Sequence, residues 1–144
     1  MSEENNNLYK FQEWLEGKIS AVLPPEITIL CRRKGNIAND IQNALSSLGV
    51  AVVVEPPLVV KWTDSYVLKA EEIESEVHFM ENVLLKKTDR TASGLMLDTA
   101  KALHQERCDE LGASVLRLGQ NEDLSPSDKP IVHYMLRITN ALNL

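Results

Sequence analysis

Three histidines are the side chains best suited to chemistry in this sequence of 144 residues. His78 and His133 lie on segments in which apolar and polar residues alternate, as in strands, and His104 lies on a segment with helical spacing. If the two strands are neighbours, His78 and His133 could bind a metal together with Glu76 or Glu81. There is no HxH or HExxH motif and no cysteine beside either strand histidine, so surface histidines are the simpler expectation.

Carboxylates and glycine-rich loops are the other candidates for catalysis. Four glutamates crowd the start of one strand: Glu71, Glu72, Glu74 and Glu76. Acid–base catalysis needs carboxyl groups in different environments, whereas neighbouring charges of this kind are typical of a solvated strand edge. The turn at Gly35 matches neither the P-loop nor the dinucleotide-binding motif, and the sequence has no GxSxG. We therefore predict no catalytic residue, no cofactor and no metal ion.

The charges favour a protein partner over a nucleic acid. The net charge is −6, and phosphate binding depends on a basic surface, so we expect no specific binding of nucleic acids. Two basic clusters, residues 32–34 and 86–90, interrupt the acidic composition at loop positions, where they could meet an acidic partner or remain solvated. With residues of other polar loops they make up the predicted interface: Arg32, Arg33, Lys34, Trp62, Asp64, Lys86, Lys87, Arg90, Glu122 and Asp123.

The composition indicates one globular domain. Hydrophobic residues make up 44% and charged residues 25%, which argues against disorder. The N-terminus lacks the basic start and apolar run of a signal peptide, and no apolar stretch approaches the length of a membrane span. Cys31 and Cys108 stand alone, and we expect two reduced thiols packed as small apolar groups, although one disulfide between them is the alternative.

The first third of the chain has the spacing of a helix followed by a strand–helix–strand unit. Residues 1–7 are polar and are predicted to be a flexible tail. An apolar stripe runs from 8 to 22 at helical steps and ends at Pro24-Pro25. A short strand over 26–31, a helix over 37–48 and an apolar strand over 50–54 follow. This is the size of a βαβ unit, but the spacing leaves open whether the strands pair in parallel.

The rest of the chain is richer in strands. The predicted elements are a hairpin of strands 58–62 and 66–70, a strand alternating over 73–80, the longest helix over 91–112, a strand over 115–118, a polar loop over 119–130 and a strand over 132–139. We predict a single α+β domain over 1–144. It should have a mixed, largely antiparallel sheet with about three helices, and the 91–112 helix should pack on one face.

The order of elements from Glu74 to Leu111 resembles that of a known family. An alternating strand is followed by the pair Glu81-Asn82, a short hydrophobic stretch, a polar loop with Arg90 and Gly94, and a long amphipathic helix. With the N-terminal helix, this order is similar to the tail terminators and related tail-completion, minor tail and neck proteins of tailed bacteriophages. Two features differ: the segment 26–54 is longer, and the loop 86–94 is richer in lysine.

The resemblance implies a structural protein of the virion with no enzymatic activity and no cofactor. Such proteins form a homo-oligomeric ring, commonly a hexamer, which caps the tail tube and joins it to the head–tail connector in the neck. Assembly would take place in the cytoplasm of the host bacterium, without a membrane. The loops 61–66, 86–94 and 119–130 would be the regions that dock on partners.

Two alternatives remain open from the sequence. One is a small intracellular metal-dependent hydrolase that uses His78, Glu81 and His133, which would require these side chains to converge within about 5 Å. The other is a different head–tail connector or a generic adaptor domain, since acidic α/β domains of this size are common. The exact family member, the ring number and the partner of each loop do not follow from the residues.

Overall fold

The computed structural model of the protein describes residues 6–32, 37–63, 66 and 68–143. Its elements are α1 (Asn7–Val22), β1 (Ile29–Cys31), α2 (Ile37–Ser47), β2 (Val50–Val54), β3 (Leu58–Thr63), β4 (Lys69–Asn82), α3 (Ala92–Leu103), a 3₁₀ turn (Asp109–Leu111), β5 (Arg117–Asp123) and β6 (Ile131–Asn143). Arg33, Lys34 and Asp64 of the predicted interface, and most of the predicted tail, lie outside the described residues.

Strand β4 is the centre of a six-stranded sheet with the order β1-β2-β4-β6-β5. On one side β4 pairs with β6, and on the other side it pairs with β3 at its beginning and with β2 at its end. The pairs are antiparallel except β1 with β2, which is parallel and is connected through α2. The segment is therefore a βαβ unit, and the predicted α+β class with a mixed, largely antiparallel sheet is confirmed.

The predicted hairpin is present, but its second strand is longer than predicted. β3 pairs antiparallel with the start of β4, from Leu58 opposite Glu74 to Thr63 opposite Lys69. The sequence predicts separate strands at 66–70 and 73–80, whereas the structure has one strand from Lys69 to Asn82. A register shift against β6 between Ala70 and Ile73 explains the difference, because the bulge interrupts the alternation without ending the strand.

Helices α1 and α3 cover one face of the sheet and form the main core with it. Asn6 caps α1, with its Oδ1 accepting a hydrogen bond from the backbone N–H of Tyr9 at 2.9 Å. The predicted stripe is confirmed at its centre, where Phe11, Leu15 and Ile19 are fully buried. They pack against the odd-numbered residues of β4, which are buried from Ile73 to Glu81, and the alternation predicted over 73–80 is confirmed. Each of these large apolar side chains contributes about 1.5–3 kcal/mol of burial free energy.

Helix α2 packs on the opposite face and covers only part of it. Ala44 and Leu45 form a small second core with Ala51 of β2, and Met80 and Ile131 pack against this group. These contacts occupy the region where β2, the end of β4 and the start of β6 lie side by side. The rest of that face is left to polar side chains.

Helix α3 is shorter than predicted. It begins as expected, with the Thr91 hydroxyl accepting the N–H of Gly94 at 3.0 Å, but it ends at Leu103 instead of residue 112. Gln105 has a positive φ of 62°, which is incompatible with a continuing right-handed helix. The longest helix is therefore α1, with 16 residues against 12 in α3. The apolar spacing continues past the helix because the following segment turns Cys108 and Leu116 into the core.

Strand β5 extends into the segment predicted to be a loop. The sequence predicts a strand over 115–118 and a polar loop over 119–130, whereas β5 runs from Arg117 to Asp123. The strand is held by antiparallel pairing of its backbone with β6, from Arg117 opposite Thr139 to Asp123 opposite Tyr134. A strand at the edge of a sheet can be polar on both faces, so composition alone conceals it. The loop is reduced to residues 124–130.

The cysteines agree with the expectation for reduced thiols. Cys31 and Cys108 are both buried, and neither forms a disulfide. Burial raises the pKa of the Cys108 thiol, which keeps it in the unreactive protonated form. Across the described ranges, no helix combines the length and the apolar character needed to cross a bilayer.

Candidate functional site

The sheet face beyond α2 carries a connected band of charged and imidazole side chains, which we call the polar strip. From Glu74 onward, alternation along the strands places the even-numbered residues of β4 and the odd-numbered residues of β6 on this face. Side chains from β5 and from the residues directly after β1 and β2 join them. The polar strip consists of Arg32, Glu55, Glu74, Glu76, His78, Glu122, His133 and Arg137.

The two strand histidines meet at the centre of the polar strip. In the register of the sheet His78 lies opposite Met135 and Met80 lies opposite His133, so the histidines are diagonal neighbours. Nδ1 of His78 lies 2.8 Å from Nε2 of His133, and the ring centroids are 5.0 Å apart. The condition set for a shared site, that the strands of the two histidines are neighbours, is met. They are half-buried residues instead of the free surface histidines that were the simpler expectation.

A contact of this length requires one imidazole nitrogen to donate and the other to accept. Nε2 of His78 lies 3.3 Å from Oε1 of Glu76, which favours a proton on that nitrogen and leaves Nδ1 as the acceptor from His133. Burial and then the neighbouring His78 lower the pKa of His133, while Asp123 opposes this change. The contacts that run from His133 through His78 to Glu76 therefore favour the neutral form of the His133 imidazole.

Asp123 and Ser125 support the histidine pair from the edge of the sheet. The backbone N–H of His133 donates to the Ser125 hydroxyl at 2.9 Å, and the backbone N–H of Ser125 donates to Oδ1 of Asp123 at 2.9 Å. These side-chain and backbone hydrogen bonds from Ser125 lower the pKa of Asp123, so its carboxylate is charged at neutral pH. The turn after β5 thus positions His133 through its backbone.

Two guanidinium groups neutralise part of the negative charge of the polar strip. Nε of Arg32 donates to both carboxylate oxygens of Glu55, at 2.6 and 2.8 Å. Arg137 lies among three carboxylates, with Nε 2.7 Å from Glu74 and Nη2 3.9 Å from Glu76 and 3.6 Å from Glu122. The contact to Glu74 is ionic and not an aligned hydrogen bond, since Nε–H does not point at the oxygen. Four carboxylates against two guanidiniums leave the strip net negative.

Glu81 has a different role from the glutamates of the polar strip. The sequence predicts a strand that ends at residue 80, but Glu81 still belongs to β4, and its side chain is only 7% exposed and lies on the core face. Oε1 accepts the backbone N–H of Ala92 at 2.9 Å, and Oε2 pairs with Nζ of Lys86 at 2.9 Å. This carboxylate fixes the start of α3 to the end of β4, which lies at Asn82, two residues beyond the predicted end of the strand.

Only part of the proposed set of metal ligands is assembled. His78 and His133 lie beside Glu76 in the polar strip, but Glu81 points to the opposite face, because residues 78 and 81 of one strand lie on opposite sides of the sheet. In the described part of the chain, no group of three or more His, Cys, Asp or Glu side chains has an arrangement that could hold a metal ion. The predicted convergence of His78, Glu81 and His133, on which the hydrolase alternative depends, is therefore wrong.

The predicted interface residues are distributed over separate regions. Arg32 and Glu122 belong to the polar strip, with Asp123 exposed beside it. Trp62 lies on β3, half exposed and in a different region. Lys86 is engaged in the ion pair with Glu81.

Lys87 and Arg90 complete the set and are exposed in the loop before α3. They follow an exposed turn of three apolar residues, 83–85, which we call the apolar turn. The predicted interface does not include this turn. The sequence does contain a signal for this turn, namely three consecutive large apolar residues between a strand and a lysine pair. Such a short run has neither a helical nor a strand period, so periodicity does not indicate that it lies at the surface.

Depressions in the surface of the described residues include one of about 320 Å³, which is lined by residues of α1 and of the segment around the 3₁₀ turn: Lys10, Glu13, Trp14, Cys108, Glu110 and Leu111. Another, of about 210 Å³, is part of the polar strip and is lined by Glu55, Pro56, Leu58, Glu74 and Glu76. The lining of this second depression combines apolar and carboxylate side chains, a combination suited to an apolar group that carries positive charge.

Comparison with known proteins gives no family for this chain, so a proposed function rests on the observations above. No family model matches the sequence, and a search of curated proteins finds no significant relative.

Proposed function

We propose that this chain is a structural protein of tailed-phage tail completion, similar to a tail terminator. Its subunits would form a homo-oligomeric ring that caps the tail tube and joins it to the head–neck connector. The link to phage tails rests on the resemblance in the order of elements. The proposal of a ring is supported by surfaces of the fold that have no partner within the described chain.

The observation that carries the proposal is the exposed apolar hairpin of β3 and β4. Val60, Trp62 and Leu68 are each at least half exposed, and Tyr66 between the strands is fully exposed. β3 pairs with β4 on one side, and among the described strands none pairs with its other edge. An open strand edge beside large apolar side chains is a template for pairing with another chain.

The hairpin retains features that prevent uncontrolled aggregation. Lys61 alternates with the apolar residues of β3 and pairs with Glu71 across the hairpin at 3.4 Å. The register of β3 against β4 is also shifted on both sides of Lys61, which twists the edge. Charge and irregularity at an edge strand restrict pairing to a matching partner, as a closed ring requires.

The first experiment is native mass spectrometry of the purified protein, with and without Trp62→Lys. We expect the unchanged chain to form a ring of one defined stoichiometry and the variant to be largely monomeric, because a charge replaces an apolar contact in the interface. Leu97→Lys is the matched control, since it introduces the same charge at a half-exposed apolar residue of α3, outside the hairpin. Equal ring formation by all three proteins would show that the hairpin is not part of the subunit interface.

The second experiment tests the connection to tails. The purified ring is mixed with assembled tail tubes, and association is measured by sedimentation and by electron microscopy of tube ends. We expect the ring at one end of the tube and an arrest of tube elongation. A protein that stays monomeric at all concentrations and does not bind tubes would refute the proposed function.

A further inference from the structure

The apolar turn, Val83–Leu85, presents its three side chains to solvent although they are large and apolar. Their exposed fractions are 49% for Val83, 77% for Leu84 and 48% for Leu85. Exposed apolar residues are common when isolated, but three in succession between β4 and a basic loop form a local patch. Such a patch at a chain reversal is typical of a contact surface.

The backbone of the apolar turn is held on several sides. Oδ1 of Asn82 accepts the N–H groups of Leu84 and Leu85 at 3.1 and 3.2 Å. The N–H of Val83 donates to the carbonyl of Pro130 at 3.0 Å. A rigid turn loses little conformational entropy when it binds, so its exposed side chains are preorganised for a partner.

The residues after the apolar turn are held in place by contacts with Glu81 and Leu48. Lys86 pairs with the buried Glu81, and the N–H of Lys87 donates to the carbonyl of Leu48 at 2.9 Å. Gly49 has a φ of +93°, and a Cβ there would lie 2.4 Å from Cα of Lys86. This close approach requires glycine and locks the turn against the end of α2.

The charges beside the apolar turn are positive and exposed. Lys87 and Arg90 are both exposed, and neither forms an ion pair with any other described residue. The turn therefore offers an apolar tip with a basic flank. Its complement would be an apolar depression with an acidic rim.

The depression in the polar strip combines apolar and acidic surface in this way. Pro56 and Leu58 supply apolar surface, and Glu55, Glu74 and Glu76 supply carboxylates. We call it the acidic depression. It belongs to a band in which carboxylates exceed guanidiniums, so partial pairing with Arg32 and Arg137 leaves negative charge available.

We propose that the apolar turn of one subunit inserts into the acidic depression of a second copy of this chain. The proposal rests on the proposed ring and names the contact between its neighbouring subunits. Leu84 would contact Pro56 and Leu58 of the neighbour, while Lys87 and Arg90 face its carboxylates. Charge complementarity between two surfaces of the same chain selects a second copy as the occupant.

The contact cannot form within one chain. Residues 76 and 82 are six positions apart on β4, which corresponds to about 20 Å along an extended strand. The apolar turn and the acidic depression are different surfaces, so their contact is heterologous and head-to-tail. A heterologous contact closes into a ring when its rotation permits and otherwise extends as a filament, whereas a two-fold contact would stop at a dimer.

Cysteine cross-linking tests this pairing directly. Leu84→Cys and Leu58→Cys are prepared as separate proteins, mixed in equal amounts and oxidised mildly, and the disulfide-linked products are mapped by mass spectrometry. The native cysteines are buried, so the introduced thiols react selectively. Leu97→Cys is the matched control in place of Leu84→Cys, because Leu97 is 52% exposed on α3 and belongs to neither surface.

We expect a cross-link in the mixture of Leu84→Cys with Leu58→Cys and none with the control. Cross-linking of Leu84→Cys to itself would indicate a two-fold contact and overturn the inference. A ring in native mass spectrometry without the mixed cross-link would also overturn it while leaving the proposed function intact. A strictly monomeric chain that does not cross-link would count against both.

Charge reversal supplies a second, independent measurement. We expect Lys87→Glu to weaken subunit association about tenfold at low salt, with the difference shrinking as ionic strength rises. Lys101→Glu on the exposed side of α3 makes the same change of net charge and should leave association unchanged. Equal effects of the two variants would assign the result to net charge and contradict the proposed contact.

Discussion

The two faces of strand β4 carry similar residue types in different surroundings. On the core face, Phe79 is fully buried and Glu81 is enclosed between Ala92 and Lys86. On the other face, Met80 packs under α2, and Glu76 and His78 lie in a partly hydrated network. Adjacent residues of one strand therefore experience a dry and a wet environment.

The difference shows how one strand can serve both stability and recognition. A carboxylate without water needs dedicated partners, and Glu81 has a backbone N–H and an ammonium group. A carboxylate near water can share its partners with other groups, and Glu76 lies between His78 and Arg137. We therefore expect changes on the core face to act on folding and changes on the polar face to act on association and pH response.

The largest difference between the faces should appear on truncation of an apolar residue. Phe79→Ala should lower the free energy of unfolding by about 4 kcal/mol, because it leaves a cavity in the main core. Met80→Ala, its neighbour on the other face, should cost about 1.5 kcal/mol, since that side chain is only partly buried. Urea denaturation followed by circular dichroism measures both values, and equal costs would contradict the assignment of the faces.

A smaller difference should separate the two glutamates. Glu81→Ala should lower the free energy of unfolding by about 3 kcal/mol, because the N–H of Ala92 and the ammonium group of Lys86 lose a buried partner. Glu76→Ala should cost less than about 1 kcal/mol, since its contacts are exposed to water. Urea denaturation of both variants is the measurement. A cost for Glu76→Ala as large as that for Glu81→Ala would place both carboxylates in the folding core.

The alternation of β4 could be predicted from the sequence, whereas the role of Glu81 could not. A period of two from Ile73 to Phe79 identifies the buried face without any tertiary information. The same period places Glu81 on that face, but a charged residue suggests the end of the strand. Its partners are at positions 86 and 92, beyond a turn whose path is set by packing and not by local preference.

Other features depended on tertiary pairing in the same way. The start of α3 could be predicted from Thr91 as a cap, but its end depends on Gln105, a residue type with no tendency to stop a helix. Strand β5 is polar and is defined by hydrogen bonding to β6, so composition indicated a loop. The contact of His78 with His133 joins residues 55 positions apart and requires the register of the sheet.

The smallest expected effect is the pH dependence of stability contributed by His133. Its pKa is lowered in the folded protein from 6.5, so as the pH falls below about that value the unfolded chain takes up a proton more readily than the folded chain. The contribution is therefore constant above that pH and is lost as the pH falls through the folded-state pKa. Urea midpoints between pH 7.5 and 5 measure this loss.

The His133→Gln variant isolates the effect from the titration of other groups. It should reduce the loss of stability over this interval relative to the unchanged protein, because glutamine binds no proton in either state. A half-buried imidazole paired with His78 resists protonation through desolvation first and through its neighbour second. If His133→Gln retains the full pH dependence of stability, His133 is not the source of that dependence. The polar face would then differ from the core face only in its effect on association.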